Sequence, residues 1–376
     1  MPVLSERVRD LRPSAVRAML EAAQQPDVIS FAGGLPAPDT FADIKLPPAS
    51  ADLWQYGPTE GEPALRARIA EDLAVIGLDC PAERVMILSG SQQGIDLAAK
   101  LVVDRGARVA VESPTYLAAL QVFRFFGAAF VDLQRSDPAP GWRGESPALA
   151  YVTPTFQNPT GDCWSADERR ALAEACDAHD VVLFEDDPYR DLAYDACERR
   201  PVASFVRRAS WIYQGSFSKT VAPGLRLGYL AATADLFPHL VRLKQAADLH
   251  ANRLSQRIVL DHLNEPGRGE RMARLVDRYR RRRDLFADAM RTHLGEHADW
   301  RAPPGGLFFW ATLRDGRSAQ ALLERALERK VLFTPGDHFM AARGAPSSAM
   351  RLNFSHPGEA AAERGLAILG ELLAGA

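Results

Sequence analysis

The feature that most constrains this fold is a change of hydrophobic period, repeated along the first two thirds of the chain. Short apolar runs suited to buried strands lie at 85–88, 109–111, 129–133, 148–152, 181–184, 211–213 and 227–231. Helical periodicity runs over 62–76, 92–103, 116–126 and 166–179. Strands alternating with helices predict an α/β fold, a mainly parallel sheet flanked by helices on both faces.

The two ends of the chain read differently. Residues 1–48 are rich in Pro and Gly and suggest a short helix over 14–23 followed by an arm. After Leu236 come two long helical patterns broken near Pro266-Gly267, and from Ala302 a mixed pattern: strand 307–312, helix 318–329, strand 350–354. The expected division is an N-terminal helix and arm (1–48), a large domain (49–290) and a smaller α+β domain (291–376). No internal repeat or low-complexity segment interrupts it.

Composition narrows the function. The net charge is −3, from 45 basic and 48 acidic residues, which lacks the basic excess of a nucleic-acid binder. No apolar run approaches the roughly 20 residues of a membrane span. The charged start, Met-Pro-Val-Leu-Ser-Glu-Arg, has no secretory apolar stretch. A cytoplasmic protein without membrane or nucleic-acid partners is expected. The four cysteines, Cys80, Cys163, Cys176 and Cys197, are dispersed and suggest incidental thiols, not a disulfide frame or metal site. His293 and His297 are four residues apart, but Gly295 intervenes and no third ligand is near, so no metal is expected. The run Arg280–Arg283 reads as a solvated helix face. Gly267-Arg268-Gly269 lacks the third glycine of a dinucleotide fingerprint.

Polar residues collect just past the strand-like runs: Ser89-Gly90-Ser91-Gln92, Ser113-Pro114-Thr115-Tyr116, Thr153 to Pro159, Asp186-Asp187-Pro188-Tyr189, and Gly215-Ser216-Phe217-Ser218-Lys219. Ligands of open α/β sheets bind outside such strand ends. Ser91 and Gln92 open a helix, whose free N–H groups favour a phosphate. Ser216, Ser218 and Arg226 add hydroxyl donors and a guanidinium fork. Only five basic residues are lysines, and Lys45, Lys100, Lys244 and Lys330 lie in contexts without a phosphate cup. Lys219 is therefore the candidate amine for a Schiff base with a carbonyl cofactor. Asp186 emerges from a buried strand and suits a cationic ring nitrogen; its neighbour Asp187 reads as structural. Tyr116 offers a face for stacking. Lysine, carboxylate, phosphate cup and stacking ring together describe a site for pyridoxal 5'-phosphate.

The segment Ser-Phe-Ser-Lys-Thr-Val-Ala-Pro-Gly-Leu-Arg-Leu-Gly-Tyr (216–229) resembles the lysine signature of class I/II aminotransferases, fold type I. Phe-Ala-Gly-Gly-Leu-Pro (31–36), Tyr-Gly-Pro-Thr-Glu-Gly (56–61), Gln-Asn-Pro-Thr-Gly (157–161) and Glu-Asp-Asp-Pro-Tyr (185–189) are similar to the branch containing 2-aminoadipate and kynurenine aminotransferases. The resemblance implies that Lys219 binds the cofactor and shuttles a proton, and that Asp186 pairs with the ring nitrogen. It implies that Asn158 and Tyr189 bond the phenolic oxygen and that Tyr116 stacks on the ring. Ser91, Gln92, Ser216, Ser218 and Arg226 would hold the phosphate, with Tyr56 reaching across from a partner subunit of a homodimer. Arg351 would clamp the substrate α-carboxylate, with Gly34 beside the substrate and Arg17 meeting a side-chain carboxylate. The implied reaction moves the amino group of an L-α-amino acid (aminoadipate or glutamate, aromatic or branched) to a 2-oxo acid such as 2-oxoglutarate. Alternatives are another enzyme of the same fold, a β-lyase or biosynthetic cyclase, and the effector domain of a transcription regulator.

Overall fold

The structure is a computed structural model that describes residues 4–9, 25, 27–48, 51–142, 144–342, 344 and 346–375. Strand β1 (Ile29–Ser30) belongs to the arm. It is followed by β2 (Val85–Leu88), β3 (Arg108–Val111), β4 (Ala129–Asp132), β5 (Leu149–Val152), β6 (Val182–Asp186), β7 (Trp211–Ser216) and β8 (Gly228–Ala232). These last seven form one sheet in the order β2-β8-β7-β6-β5-β3-β4. Strand β8 runs antiparallel to both neighbours, and the other pairings are parallel. β2 and β5 are buried along their whole length, as strands covered on both faces must be.

Helices α1 (Pro63–Val75), α2 (Ser91–Val102), α3 (Leu117–Phe125) and α4 (Ala166–His179) connect these strands. The start of α4 is fixed by a reciprocal cap between Ser165 and Glu168, and Asp180 ends it in the left-handed conformation. After β8 come α5 (Phe237–Asp248), α6 (Arg253–Asn264) and the long α7 (Arg268–Leu294). Residues of α2, α3 and α5 join the core on one face of the sheet. Those of α1, α4 and α6 join the core on the other.

A second, antiparallel sheet is built from β9 (Ala298–Trp300), β10 (Phe308–Leu313), β12 (Thr334–Pro335) and β13 (Ala349–Asn353), in the order β12-β13-β10-β9. Helices α8 (Ala319–Glu328) and α9 (Glu359–Ala374) accompany it, and β1 of the arm pairs in parallel with β11 (Val331–Leu332). Phe31 is fully buried in this core, edge-on to Phe286 of α7. The arm is thereby anchored beside the C-terminal sheet. Among the described residues no helix is long and apolar enough to cross a membrane.

Two expectations are corrected. The first helical pattern after Leu236 is two helices, α5 and α6. Leu249 takes φ +64°, and Asn252 caps α6 by accepting from the Ser255 N–H at 2.9 Å, so a side-chain cap ends the pattern without Gly or Pro. Of the run Arg280–Arg283 only Arg281 keeps the expected exposed position, paired with Asp277 of its own helix. Arg283 is buried, paired with Asp195 and donating to the Pro303 carbonyl at 3.0 Å. Arg282 pairs with Asp39 at 2.8 Å and Arg280 donates to the Tyr194 carbonyl at 3.0 Å. These arginines bolt α7 to the arm and to the loop after β6. The expected helix over 14–23 lies outside the described residues.

Candidate active site

Asp186 ends β6, buried, with both oxygens engaged: Oδ2 accepts from the Tyr151 hydroxyl at 2.8 Å and Oδ1 from the Gln214 amide at 2.9 Å. Burial raises its carboxyl to about 6; the two donors pull it down and the Asp187 charge pushes it up. Asp187 turns away, accepting from the Tyr213 hydroxyl at 2.9 Å and pairing with Arg190 at 3.1 Å, the structural role expected of it.

Lys219, just past β7, donates from Nζ to the Gly34 carbonyl at 2.7 Å. Burial first, then the Arg351 and Arg226 charges, lower its amine to about 8. A neutral fraction is thus available near physiological pH, as attack on a carbonyl requires.

Ser91 and Gln92 are the first two residues of α2, after Gly90 at φ +83°. A Cβ on Gly90 would stand 2.5 Å from Arg226 Nη2, which places the guanidinium against this turn. Ser216 closes β7, and its Oγ accepts from the Ser218 N–H at 3.2 Å. Helix N–H groups, hydroxyls and a guanidinium thus form an anion cup. Lys244, fully buried on α5, donates to Oε1 of Gln93, the third residue of α2, at 2.8 Å and to Asp248 at 2.9 Å. Asp248 also accepts from the Ser89 hydroxyl at 2.7 Å. The packing of α5 across α2 decides this brace, and no local pattern signals it.

Tyr116, the N-cap residue of α3, has its phenol raised to about 12 by burial and by Asp186, against Arg351 and Arg226. Its ring therefore stands among these three charges. Burial pushes the Tyr189 phenol up, and Asn158 acts to lower it. Asn158 Oδ1 also accepts from Arg351 Nη1 at 2.7 Å.

Arg351, central in β13, is buried. Its Nη2 donates to the Ala32 carbonyl and, at 3.4 Å, to Thr334 Oγ1; its Cζ lies 4.3 Å from the Phe308 ring centroid and 5.0 Å from that of Phe339. Its Nε has no hydrogen-bond partner among the described residues, and burial lowers the guanidinium to about 10. A buried cation with unpaired donors is prepared to receive a carboxylate.

Lys219, Asp186, Tyr116, Asn158, Tyr189, Arg226, Arg351 and Gly34 are therefore gathered in one region, with Ser91, Gln92, Ser216 and Ser218 at its cup. Tyr56 stays outside, 77% exposed and edge-on to His250 at 5.8 Å. Arg17 lies outside the described residues. Sequence reasoning missed Tyr151, Gln214 and Thr334. A lone amide inside the apolar run 211–215 was the one available signal, for Gln214. The donor set fits pyridoxal 5'-phosphate on its own geometry: an amine of lowered basicity, a buried carboxylate, a helix-start cup and a carboxylate receptor.

The chain matches the family model described as aminotransferase class I and II over residues 36–368. It is 34% identical to the aromatic-amino-acid aminotransferase 1 of Thermococcus litoralis, covering 98% of this chain and 93% of that protein. It is 35% identical to the 2-aminoadipate transaminase of Thermus thermophilus, covering 97% and 95% respectively. The solved α-aminoadipate aminotransferase of the same organism, complexed with N-(5'-phosphopyridoxyl)-L-leucine, superposes with a TM-score of 0.89 at 33% identity, covering 99% of this chain and 97% of that one. Fold and site together define a pyridoxal-phosphate-dependent transferase of fold type I. The chain belongs to the class I and II aminotransferases, and its cofactor is pyridoxal 5'-phosphate.

Proposed function

We propose that this chain transfers the amino group of an L-α-amino acid to a 2-oxo acid such as 2-oxoglutarate, taking aminoadipate or glutamate and also aromatic and branched donors, as a cytoplasmic homodimer. The observation that carries the reading is Arg351: a buried guanidinium without a carboxylate partner among the described residues, bonded to Asn158, close enough to Lys219 to lower its basicity. Every α-amino acid and every 2-oxo acid offers a carboxylate to that fork, and the reacting carbon then falls beside Lys219. The breadth of donors is supported by relatives named for aromatic and aminoadipate substrates and by the leucine adduct in the solved relative.

The cofactor, when bound, supplies the carbonyl that takes up the amino group and an electron-poor ring that draws charge from the substrate Cα. Lys219 Nζ would act there as the base that takes the substrate Cα proton and then as the acid that returns it. Asp186, ionised, holds the proton on the ring nitrogen. Asn158 and Tyr189 orient the phenolic oxygen, Tyr116 packs on the ring, and Ser91, Gln92, Ser216, Ser218 and Arg226 fix the phosphate. Tyr56, exposed in one chain, completes the cup of a second subunit. Gly34 keeps the arm close to the substrate, and Arg17 receives a second carboxylate.

Single half-reactions with a donor panel test this. Each donor should convert the cofactor to its amine form and release the matching oxo acid, and 2-oxoglutarate should reverse the spectrum while yielding glutamate. Release of ammonia, with the cofactor never passing to its amine form, would instead indicate a lyase.

A further inference from the structure

Two locally unfavourable choices meet at one contact behind the site. Gln214 is fully buried in β7, directly opposite Asp186 in the register of β6 and β7. Its backbone carbonyl accepts from the Asp187 N–H at 2.9 Å, and its side-chain Nε2 donates to Asp186 Oδ1 at 2.9 Å. The far end of the same amide, Oε1, is buried without a hydrogen-bond partner. That oxygen lies 1.8 Å from where a Cβ on Gly94 would stand, with Leu88 Cδ1 at 2.9 Å from the same point. Gly94 is in the second turn of α2, where glycine costs helix stability. An apolar residue at 214 facing alanine at 94 would remove both penalties, so packing alone does not account for the pair.

The chemistry of the carboxylate does. A carboxylate only accepts, so the amide of Gln214 must present its NH2 to Asp186 and leave its oxygen towards α2. Gly94 is the space that lets it do so. Tyr151 and Gln214 thereby take one oxygen each, fix the plane of the carboxyl group and favour its ionised form against burial and the charge of Asp187. Because α2 also supplies Ser91 and Gln92, the same contact ties the carboxylate to the cup. We infer that Gln214, seated against Gly94, is a positioning residue that holds Asp186 ionised and in register with the ring nitrogen of the bound cofactor. This rests on the reading of Asp186 as partner of that nitrogen.

The test uses the full chain stripped of cofactor and compares its affinity for pyridoxal 5'-phosphate with that for the analogue carrying CH in place of the ring nitrogen. The ratio isolates the carboxylate's contribution, since both molecules share the phosphate. Gln214→Met should shrink the preference for pyridoxal phosphate by about tenfold or more, the loss of one hydrogen bond to a charged group, with affinity for the analogue changed by less than about threefold. Gly94→Ala should act in the same direction and add nothing in a Gln214→Ala background, where the space has been cleared. The Gln214→Ala chain also serves if the methionine variant fails to fold. Equal weakening of both ligands, an unchanged ratio, or a Gly94→Ala effect that persists beside Gln214→Ala would overturn the inference. Asp186→Asn separates the two readings. If it collapses the preference while Gln214→Met does not, only the inference falls; if it too leaves the preference intact, both fall.

Discussion

Replacing Arg351 by methionine should cripple turnover while leaving the chain folded. Removing one half of a buried ion pair ordinarily costs about 3–5 kcal/mol, because a charge is stranded. Arg351 pairs with no carboxylate among the described residues; its partners are Asn158, the Ala32 carbonyl and Thr334. Burial lowers its guanidinium from its usual value to about 10, which at about 1.4 kcal/mol per pH unit is a destabilisation of about 3 kcal/mol. The group is protonated in both folded and unfolded chains at pH 7. The destabilisation is therefore present in full there and is relieved only as pH rises through about 10. Against it stand the faces of Phe308 and Phe339, worth about 0.5–1 kcal/mol each, and charge-assisted hydrogen bonds to Asn158 and the Ala32 carbonyl at about 1.5–3 kcal/mol each. The favourable side exceeds the penalty by about 1–5 kcal/mol, so Tm should fall by no more than about 6 °C. Substrate binding has no such offset. Two charge-assisted hydrogen bonds to the α-carboxylate, at about 1.5–3 kcal/mol each, predict a fall in kcat/KM of about a hundredfold to ten-thousandfold. The loss should be alike for aminoadipate, leucine and phenylalanine. Thermal melts of the cofactor-free chain and single half-reactions with the three donors measure both quantities. A Tm drop beyond about 10 °C, or a loss confined to acidic donors, would refute the reasoning.

Lys219→Ala should abolish turnover, and borohydride reduction of the wild-type holoenzyme followed by peptide mapping should place the label on Lys219 alone; label on Lys244 would reassign the amine. Because the Lys219 amine titrates at about 8, its neutral fraction grows as pH rises through that value. Acylation of Lys219 in the cofactor-free chain should reach half its maximal rate near pH 8; a midpoint above about 10 would show that burial does not act on it as argued. Mixing inactive Tyr56→Phe and Lys219→Ala chains should restore activity through hybrid sites, and no recovery after demonstrated subunit exchange would count against a shared site. Arg17→Ala should cost about ten- to a hundredfold for aminoadipate or glutamate, one charge-assisted contact, and little for leucine. Equal losses would refute a selective role for Arg17.

Periodicity alone determined most elements of the main sheet: 85–88 and 166–179 match β2 and α4, because steric preference, apolar spacing and the Ser165 cap are written within a few residues. The strand ends carrying Lys219, Asp186, Asn158 and Ser91 were legible for the same reason, since small polar residues following apolar runs mark where a sheet can present a ligand site. Sequence did not order the strands, insert β8 antiparallel between β2 and β7, or split α5 from α6. The contacts that give the site its chemistry were decided by tertiary structure. Lys219 reaches Gly34 across 185 positions, Arg351 reaches Asn158 across 193, and Lys244 reaches Gln93 across 151. Local rules register the shape and polarity of each residue within its own element. Which buried donor faces which acceptor is fixed only when the three cores close around the sheets and buried polar groups find their partners within them.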